Sequence, residues 1–580
     1  MDRHAVNLFD TTSGANGGLV RFTCLIAVCS VVLTAAARAV GLHPDRGVSM
    51  IWYGSQNNLD DRDGIVANGQ IFYMWRWFEP AEGAYAFDDL DAKLKAVHGK
   101  NMKATIQING NVHPDYLFDL VPYLKGKEYP SQHDHDNGYG PPMYWHAVYK
   151  EKYESLIRAL AEHLKDSPYR ETVLGIRQSY NAIGTEHHWI RPEDRTQDNW
   201  TRESGATWGG PWPWTREIDE QYLTWAIDRY VEHFDPPSGI PVFMRASALK
   251  EGGAASERHR AMATSGELMI FHTSSEPQPR GGKEAQYRVF LDYCKTGKTR
   301  GFMESWSLAK TSSSGWDWTR TSQPITRHQF NYWTLLVDLH CGASFPAMRP
   351  EDIDRAGCRA DYEFAAQYAG AHHEPAVSPG AWIAFREGDY LVGDYTFLMQ
   401  RRGPDESVPL YNVDDTRYGL WARRLPAGSN MQVVMDSTFA ASLENNTDVT
   451  IRIWYSDSNT GSLVTTAFGR EFVDRKADAG TWKQAEHTVD VSRADRRISI
   501  TAKDGDCVLH MIEVLRGEPG TTHTRATHLV TKTVPNEKQS VYRYDVTGRR
   551  IHAGRSRGSG ILVIRGEDNR IRILAAPARR

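Results

Sequence analysis

The chain has 580 residues, too many for one ordinary core, so it divides into two or three domains, one of them large enough to enclose a deep site. Its 68 Lys and Arg stand against 72 Asp and Glu, and a net charge of −4 gives no electrostatic basis for a nucleic-acid partner; a neutral partner suits this balance better. The 18 Trp and 26 Tyr supply flat apolar faces with polar edges, which fill cores and also stack on sugar rings.

Residues 22–37 (FTCLIAVCSVVLTAAA) form an apolar run preceded by Arg21 and followed by Ala37-Arg38-Ala39, a small-x-small cleavage pattern. Residues 1–39 therefore read as a signal peptide, and the mature chain is expected to be secreted or to reach the cell surface or periplasm. The run is shorter than the ~20 residues a bilayer requires, and no later segment is apolar enough to span, so no membrane span is expected in the mature chain. Cys24 and Cys29 leave with the signal. Cys294, Cys341, Cys358 and Cys507 have no CxxC spacing, which points away from a zinc ribbon and leaves one disulfide or buried free thiols as alternatives.

Over residues 40–373, short β-branched or aromatic runs alternate with longer helical patterns, as a parallel sheet with crossover helices demands. Strands are predicted at 48–53, 70–75, 103–108, 173–179, 241–245, 268–272, 300–305 and 343–348. Eight such units fit a (β/α)₈ TIM barrel, whose typical size of about 250 residues leaves room for long loops. The competing open, doubly wound sheet wants a glycine-rich phosphate turn after its first strand, and Gly54-Ser55-Gln56-Asn57-Asn58 does not supply one. Two insertions, 123–144 and the Trp-rich 189–214, follow the third and fourth strands and are candidate cleft walls. Residues 374–516 change to alternating strands broken by turns, an all-β sandwich, and residues 517–580 repeat that style in a small C-terminal β domain.

Cleaving a glycosidic bond needs two carboxyl groups facing each other across one sugar, and in a barrel they sit at the C-terminal ends of strands. Glu304 closes the seventh strand in Gly301-Phe302-Met303-Glu304-Ser305-Trp306, where a carboxylate among apolar neighbours is costly unless paired or functional. Glu186 follows the fourth strand beyond Asn181-Ala182-Ile183-Gly184-Thr185, and its aromatic and imidazole neighbours suit a carboxyl kept protonated near neutral pH. The competing reading of Glu186 is a loop carboxylate paired with Arg177 or Arg191. Glu276, just after the sixth strand, is a third carboxylate that could serve as the acid. His133-Asp134-His135-Asp136-Asn137-Gly138 has metal-ligating residue types but lacks the closing glutamate of a calcium loop, and reads as a solvated turn. No metal and no cofactor is expected.

The segment Tyr73-Met-Trp-Arg-Trp-Phe-Glu-Pro-Ala-Glu-Gly-Ala-Tyr-Ala-Phe-Asp-Asp-Leu-Asp91 resembles the second-strand signature of the clan of retaining β-glycosidases that includes the microbial β-galactosidases. The resemblance extends over about residues 48–348 and implies a barrel acting on a carbohydrate, with Glu186 as acid/base from strand four and Glu304 as nucleophile from strand seven. It further implies that Arg76 steadies the nucleophile, that Asn181 contacts the sugar 2-hydroxyl and that His272 lies beside the nucleophile. His187 and Trp306, next to the two glutamates, complete the expected sugar-contacting set. The chain departs from the clan in one respect: most members read Asn-Glu at the end of strand four, whereas Ala182 follows Asn181 here. Glu186 from the next turn is expected to take the acid role; the alternative is a glycan-binding protein that has lost its acid. The sandwich is similar to accessory modules that follow such barrels, where Trp454 and Trp482 either stack sugars or fill the core. The tail Tyr544-Asp-Val-Thr-Gly-Arg-Arg resembles the C-terminal sorting domains of outer-membrane secretion systems.

Overall fold

The computed structural model describes residues 45–517 apart from 52–60, 130–131, 185–186, 197–198, 202–213, 237–238, 250–256, 279–283, 306–324, 356, 387–392, 445 and 493–494. Beyond 517 it describes four short strands. The proposed signal segment lies outside the described residues. The chain divides into two compact units, Met1–Thr521 and Thr522–Arg580.

The first unit opens with a closed parallel barrel. Its strands are β1 (Val48–Ile51), β2 (Val66–Met74), β3 (Lys103–Asn109), β5 (Val173–Arg177), β7 (Val242–Arg245), β8 (Met269–Ser275), β9 (Gly301–Ser305) and β10 (Ala343–Met348), so each of the eight predicted strands is present. Around the ring they run β1, β10, β9, β8, β7, β5, β3, β2. Side chains alternate in and out along each strand. The outward set, including Ile71, Tyr73, Ala104, Ile106 and Ile176, packs under the helices Phe87–His98, Ala147–Asp166, Arg216–Phe234 and Arg327–His340 in one large cluster. Inside, Phe243, Phe271, Phe302 and Phe345 form a separate cluster with Ile51, Leu174 and Ala347. On the opposite side of the interior the residues are polar: the Ser49 hydroxyl donates to Asn68, and Gln70 Nε2 donates to Gln107 Oε1 at 2.7 Å.

The two insertions meet each other. Tyr123–Leu124 (β4) pairs antiparallel with Trp200–Thr201 (β6), and Tyr129 donates to Asp194 at 2.8 Å. Arg191 lies over the Tyr129 ring at 4.3 Å and donates to the Glu128 carbonyl at 2.9 Å. Both loops leave the C-terminal ends of barrel strands, and these bonds join them into one wall.

The sandwich follows within the same unit. A seven-stranded sheet containing β11 (Gly380–Ala384), β12 (Tyr395–Phe397), β14 (Val408–Tyr411), β15 (Trp421–Leu425), β17 (Asn446–Asp457), β20 (Thr481–Val491) and β22 (Cys507–Leu515) faces a five-stranded one. The second is built from β13 (Met399–Arg401), β16 (Asn430–Met435), β18 (Ser462–Ala467), β19 (Arg470–Arg475) and β21 (Arg497–Lys503). Their inner faces share an aliphatic cluster with Ile451, Ile453, Ile500 and Val514. The outer face of the larger sheet packs on the barrel through Trp382, Trp421 and Met511, with Trp454 partly buried against the same cluster. Trp482 donates to Asp414 at 2.6 Å. Both tryptophans thus have contacts within the fold. At this seam Tyr332 bonds His510 at 2.7 Å, Trp333 donates to the Arg417 carbonyl at 2.9 Å, and Tyr395 donates to the Pro277 carbonyl.

The four described cysteines of this unit are buried and free. Among the described residues no helix is long and apolar enough to cross a membrane. The second unit holds a four-stranded antiparallel sheet of β23 (Tyr542–Tyr544), β24 (Arg550–Ile551), β25 (Ile561–Arg565) and β26 (Ile571–Ala575) in the order β24, β23, β25, β26.

Candidate active site

Glu304 lies one residue before the end of β9 with 8% of its surface exposed, at the C-terminal mouth of the barrel. It takes the inward direction, two residues after Phe302, so its carboxylate rises from the aromatic floor. A carboxylate in such surroundings needs a cation, and Arg177, the last residue of β5, supplies one: its Nη2 lies 3.0 Å from Glu304 Oε2. Arg177 is itself 1% exposed, and its guanidinium lies over the Phe271 and Phe302 rings at 4.6 and 4.7 Å. Arg245, closing β7, is also buried and lies over Phe271 at 4.9 Å. The floor is therefore apolar and cationic together, and a planar guanidinium is the cation suited to stacking on rings.

The cation on Glu304 is thus Arg177, from strand four, where Arg76 from strand two was expected. After Met74 the chain turns into the short helix Trp75–Phe78, in which Trp75 and Phe78 are buried and the two residues between them face away. Arg76 is carried outward and pairs with Asp115 at 2.6 Å. The glutamate of the Glu-Pro motif, Glu79, accepts from Trp75 Nε1 at 2.7 Å and from the Gly83 amide at 2.9 Å, tying the corner after β2. Burial pushes its carboxyl pKa up. His272 is likewise displaced from its expected place by one position of strand alternation. The cross-strand neighbour of Glu304 is Thr273. His272 is buried against Tyr287 and Phe290, rings of the helical layer, at centroid distances of 5.4 and 6.4 Å. Glu276, just past β8, is buried, and its amide donates to the Tyr287 hydroxyl at 2.8 Å.

The exit of β5 is irregular and held from behind. Asn181 is fully buried with φ of 45°, a left-handed conformation that asparagine tolerates better than most residues. Three buried tyrosines from two helices donate to three consecutive carbonyls: Tyr153 to Ser179 at 2.6 Å, Tyr222 to Tyr180 at 2.6 Å, and Tyr149 to Asn181. Carbonyls that leave a sheet inside a core need such donors. Tyr149 in turn lies 3.0 Å from Nε2 of His113, whose Nδ1 is 2.7 Å from Asp134 Oδ2. Asp134, read from the sequence as part of a solvated turn, is instead buried and also accepts from the His113 amide at 2.7 Å. Among the described residues no His, Cys, Asp and Glu group is disposed to hold a metal. The Ser179 hydroxyl donates to Asn181 Oδ1 at 2.5 Å, and Asn181 Nδ2 is buried without a hydrogen-bond partner.

Beyond Asn181 the Ile183 amide donates to the His187 carbonyl at 2.9 Å, and Glu186, between them, lies outside the described residues. Trp306 lies outside them as well. His187 is exposed, whereas His188 Nδ1 is 2.8 Å from Asp219 Oδ2. The structure therefore brings Glu304 and Arg177 together at one mouth, into which β5 also delivers Asn181. The sequence offered Arg177 only as a possible partner of Glu186, and the tyrosines were missed. The signal for Arg177 was present: an arginine closing the apolar strand Val173-Leu-Gly-Ile-Arg177 requires a buried anion.

Residues 66–188 match the family model of glycoside hydrolase family 42, described as beta-galactosidase. The matched span runs from β2 through the exit of β5, so it contains the Glu-Pro corner, Asn181 and Glu186. Over these residues the chain is similar to that family. Two solved structures that it matches are the cold-adapted β-galactosidase of Rahnella sp. R3, at 14% identity over 56% of each chain with a TM-score of 0.34, and the β-galactosidase of the psychrophilic Marinomonas ef1, at 12% identity over 55% of this chain and 59% of that one with a TM-score of 0.34. A third is the catalytic unit of a GH87 α-1,3-glucanase from Streptomyces thermodiastaticus, at 11% identity over 21% of this chain and 28% of that one with a TM-score of 0.16. The chain thus spans a little over half the length of the two β-galactosidases. No curated protein matches it. Glu304, on the seventh barrel strand, lies beyond the matched span.

Proposed function

We propose that the chain is an exported glycoside hydrolase that cleaves β-galactosides or a galactan-like polysaccharide with retention of configuration. The observation that carries this reading is a buried carboxylate, Glu304, clamped by Arg177 at the C-terminal mouth of a barrel whose first half matches the β-galactosidase family model. Glu304 attacks the anomeric carbon while Glu186 protonates the leaving oxygen; Glu186 then takes a proton from water, which releases the sugar from Glu304. Arg177 holds and aims the Glu304 carboxylate, and Asn181 Nδ2 meets a sugar hydroxyl. Export follows from the apolar run at 22–37 and its cleavage pattern.

The test is kinetic. Glu304→Ala removes the atom that bonds to the sugar, so hydrolysis of every substrate is expected to fall to background. Glu186→Ala removes proton transfer, worth ~10²–10⁴-fold on natural linkages. On an activated aryl galactoside, which leaves without a proton, this variant is expected to accumulate glycosyl-enzyme and to be rescued by azide. The same pattern in Glu276→Ala, with Glu186→Ala unaffected, moves the acid role to Glu276. Failure of all three variants to change anything leaves glycan binding without catalysis.

A further inference from the structure

Among the described residues the exposed large hydrophobic side chains are Trp77, Trp189, Val377, Val408 and Val473. The two aromatic ones both follow the C-terminal end of a barrel strand: Trp77 comes after β2 and Trp189 after β5. In the ring these two strands flank β3, and β3 lies diametrically across from β9, the strand that carries Glu304. The two indoles therefore follow the two strands that flank the one opposite Glu304.

Neither indole is loosely attached. Trp189 is 53% exposed, yet its ring stands edge-on to Trp214 at 4.8 Å, and the Arg195 guanidinium covers it at 4.4 Å while also covering Trp214 at 4.1 Å. Arg195 is fixed by its Nε donating to the Ile190 carbonyl at 2.9 Å, and Trp214 by its Nε1 donating to the Tyr144 hydroxyl at 2.7 Å. Trp77 is 58% exposed because Trp75 and Phe78 take the inward positions of its helical turn, which Arg76 ties down through Asp115. A rigid indole presented to water costs solvation that a mobile loop would avoid, and one already held in place loses little freedom on binding. The ligand that fits is uncharged, with flat patches of C–H edged by hydroxyls, which is a pyranose ring.

We propose that Trp77 and Trp189 are stacking platforms for sugar rings beyond the one that meets Glu304, so that the ligand is an oligo- or polysaccharide rather than a disaccharide. The proposal rests on the glycosidase reading for what occupies the mouth. Its test uses the full chain in native gels containing soluble β-galactan, β-mannan or β-glucan, beside kinetics on a polymer and on a short aryl galactoside. Trp189→Ala and Trp77→Ala are each expected to weaken retardation by the preferred polymer about fivefold to tenfold. Trp189→Phe and Trp77→Phe should recover most of it, which separates stacking from misfolding. The loss of kcat/KM on the polymer should exceed that on the aryl galactoside by about fivefold. Equal retardation of the wild-type chain and both alanine variants, or a wild-type chain retarded by none of the three polymers, overturns the platforms. Retardation that depends on Trp189 in a chain that hydrolyses nothing keeps the platforms and removes the reaction; polymer hydrolysis indifferent to both tryptophans does the reverse.

Discussion

The two strand ends that the proposed reaction requires are built by opposite means. At strand seven β9 delivers Glu304 from within the sheet, onto a floor of phenylalanines, and the Arg177 guanidinium pairs with it. At strand four the regular sheet stops at Arg177, and Ser179-Tyr180-Asn181 leaves it in a left-handed turn whose carbonyls are held by three tyrosines from the helices behind. One end is fixed by charge in a dry place, the other by neutral hydrogen bonds. A charge clamp is strong and all-or-none, whereas a set of hydroxyls yields in steps, so the two ends should fail differently when disturbed.

The largest effect is expected at the charged end. Arg177→Met removes the guanidinium that pairs with Glu304 and stacks on Phe271 and Phe302, and breaking one half of a buried pair typically costs about 3–5 kcal/mol. Denaturant titration should show that loss. Arg177→Met combined with Glu304→Gln should recover part of the stability and none of the activity. A single variant as stable as the wild type would show that the pair does not hold strand seven.

Acid sharpens the same comparison, because the fold has a pH dependence of its own. At the seam, burial holds His340 well below the ordinary imidazole range, with Lys295 adding to it. Burial, with help from His373, puts His372 at about 3; burial, with help from Arg417, puts His510 at about 3. At His372 and His510 the unfolded chain binds a proton near 6.5 and the folded chain only near 3, so through that window the unfolded state carries more protons and stability falls as pH drops. Unfolding midpoints at pH 7.5, 6 and 5 should decline in that order, and His510→Gln should flatten the slope. A His510→Gln variant that keeps the wild-type slope would show that His510 does not set this dependence.

The neutral end is broken most directly from strand three. A Cβ added to Gly110 would lie 2.6 Å from Asn181 Cα and 2.8 Å from its Cβ, and neither backbone can give way without disturbing the tyrosine bonds. Gly110→Ala is expected to cost about 1–3 kcal/mol by overpacking, and to lower kcat beyond what the stability loss explains. Undiminished kcat in a destabilised variant would show that the position of Asn181 does not matter to the reaction.

The same contrast explains what could be read from the sequence. The eight strands were legible because each is a short apolar run between helical patterns, and Glu304 because a carboxylate inside such a run stands out. Arg76 was expected beside Glu304 from the clan resemblance, but the helical turn Trp75–Phe78 rotates it outward, and a four-residue turn leaves little trace in hydrophobic periodicity. His272 was displaced by one residue of alternation, the smallest register difference that reverses a side chain. Tyr149, Tyr153 and Tyr222 were illegible for another reason: on amphipathic helices they sit at core positions, and nothing in their spacing shows that their hydroxyls reach carbonyls across the barrel wall. Asp134 hid in a polar run for the same reason, since its partner His113 precedes it by 21 residues.

The smallest and most informative effects concern those hydroxyls one at a time. Tyr153→Phe and Tyr222→Phe each remove one oxygen and leave a buried carbonyl, of Ser179 and of Tyr180, without its donor, so each should cost about 1 kcal/mol. Tyr149→Phe takes the donor from the Asn181 carbonyl and a neighbour from His113 Nε2, the end of a chain anchored on Asp134, so it should cost at least as much. The three carbonyls are consecutive, and loosening one frees its neighbours. The triple variant should therefore lose more than the sum of the singles, the coupling found between residues that share one network. Amide exchange at Ser179–Ile183 should rise stepwise through the series, while β9 keeps its protection until the fold itself is lost. If the singles simply add and exchange at the strand-four exit does not change, the tyrosines are ordinary core residues, and the order of that exit comes from the chain itself.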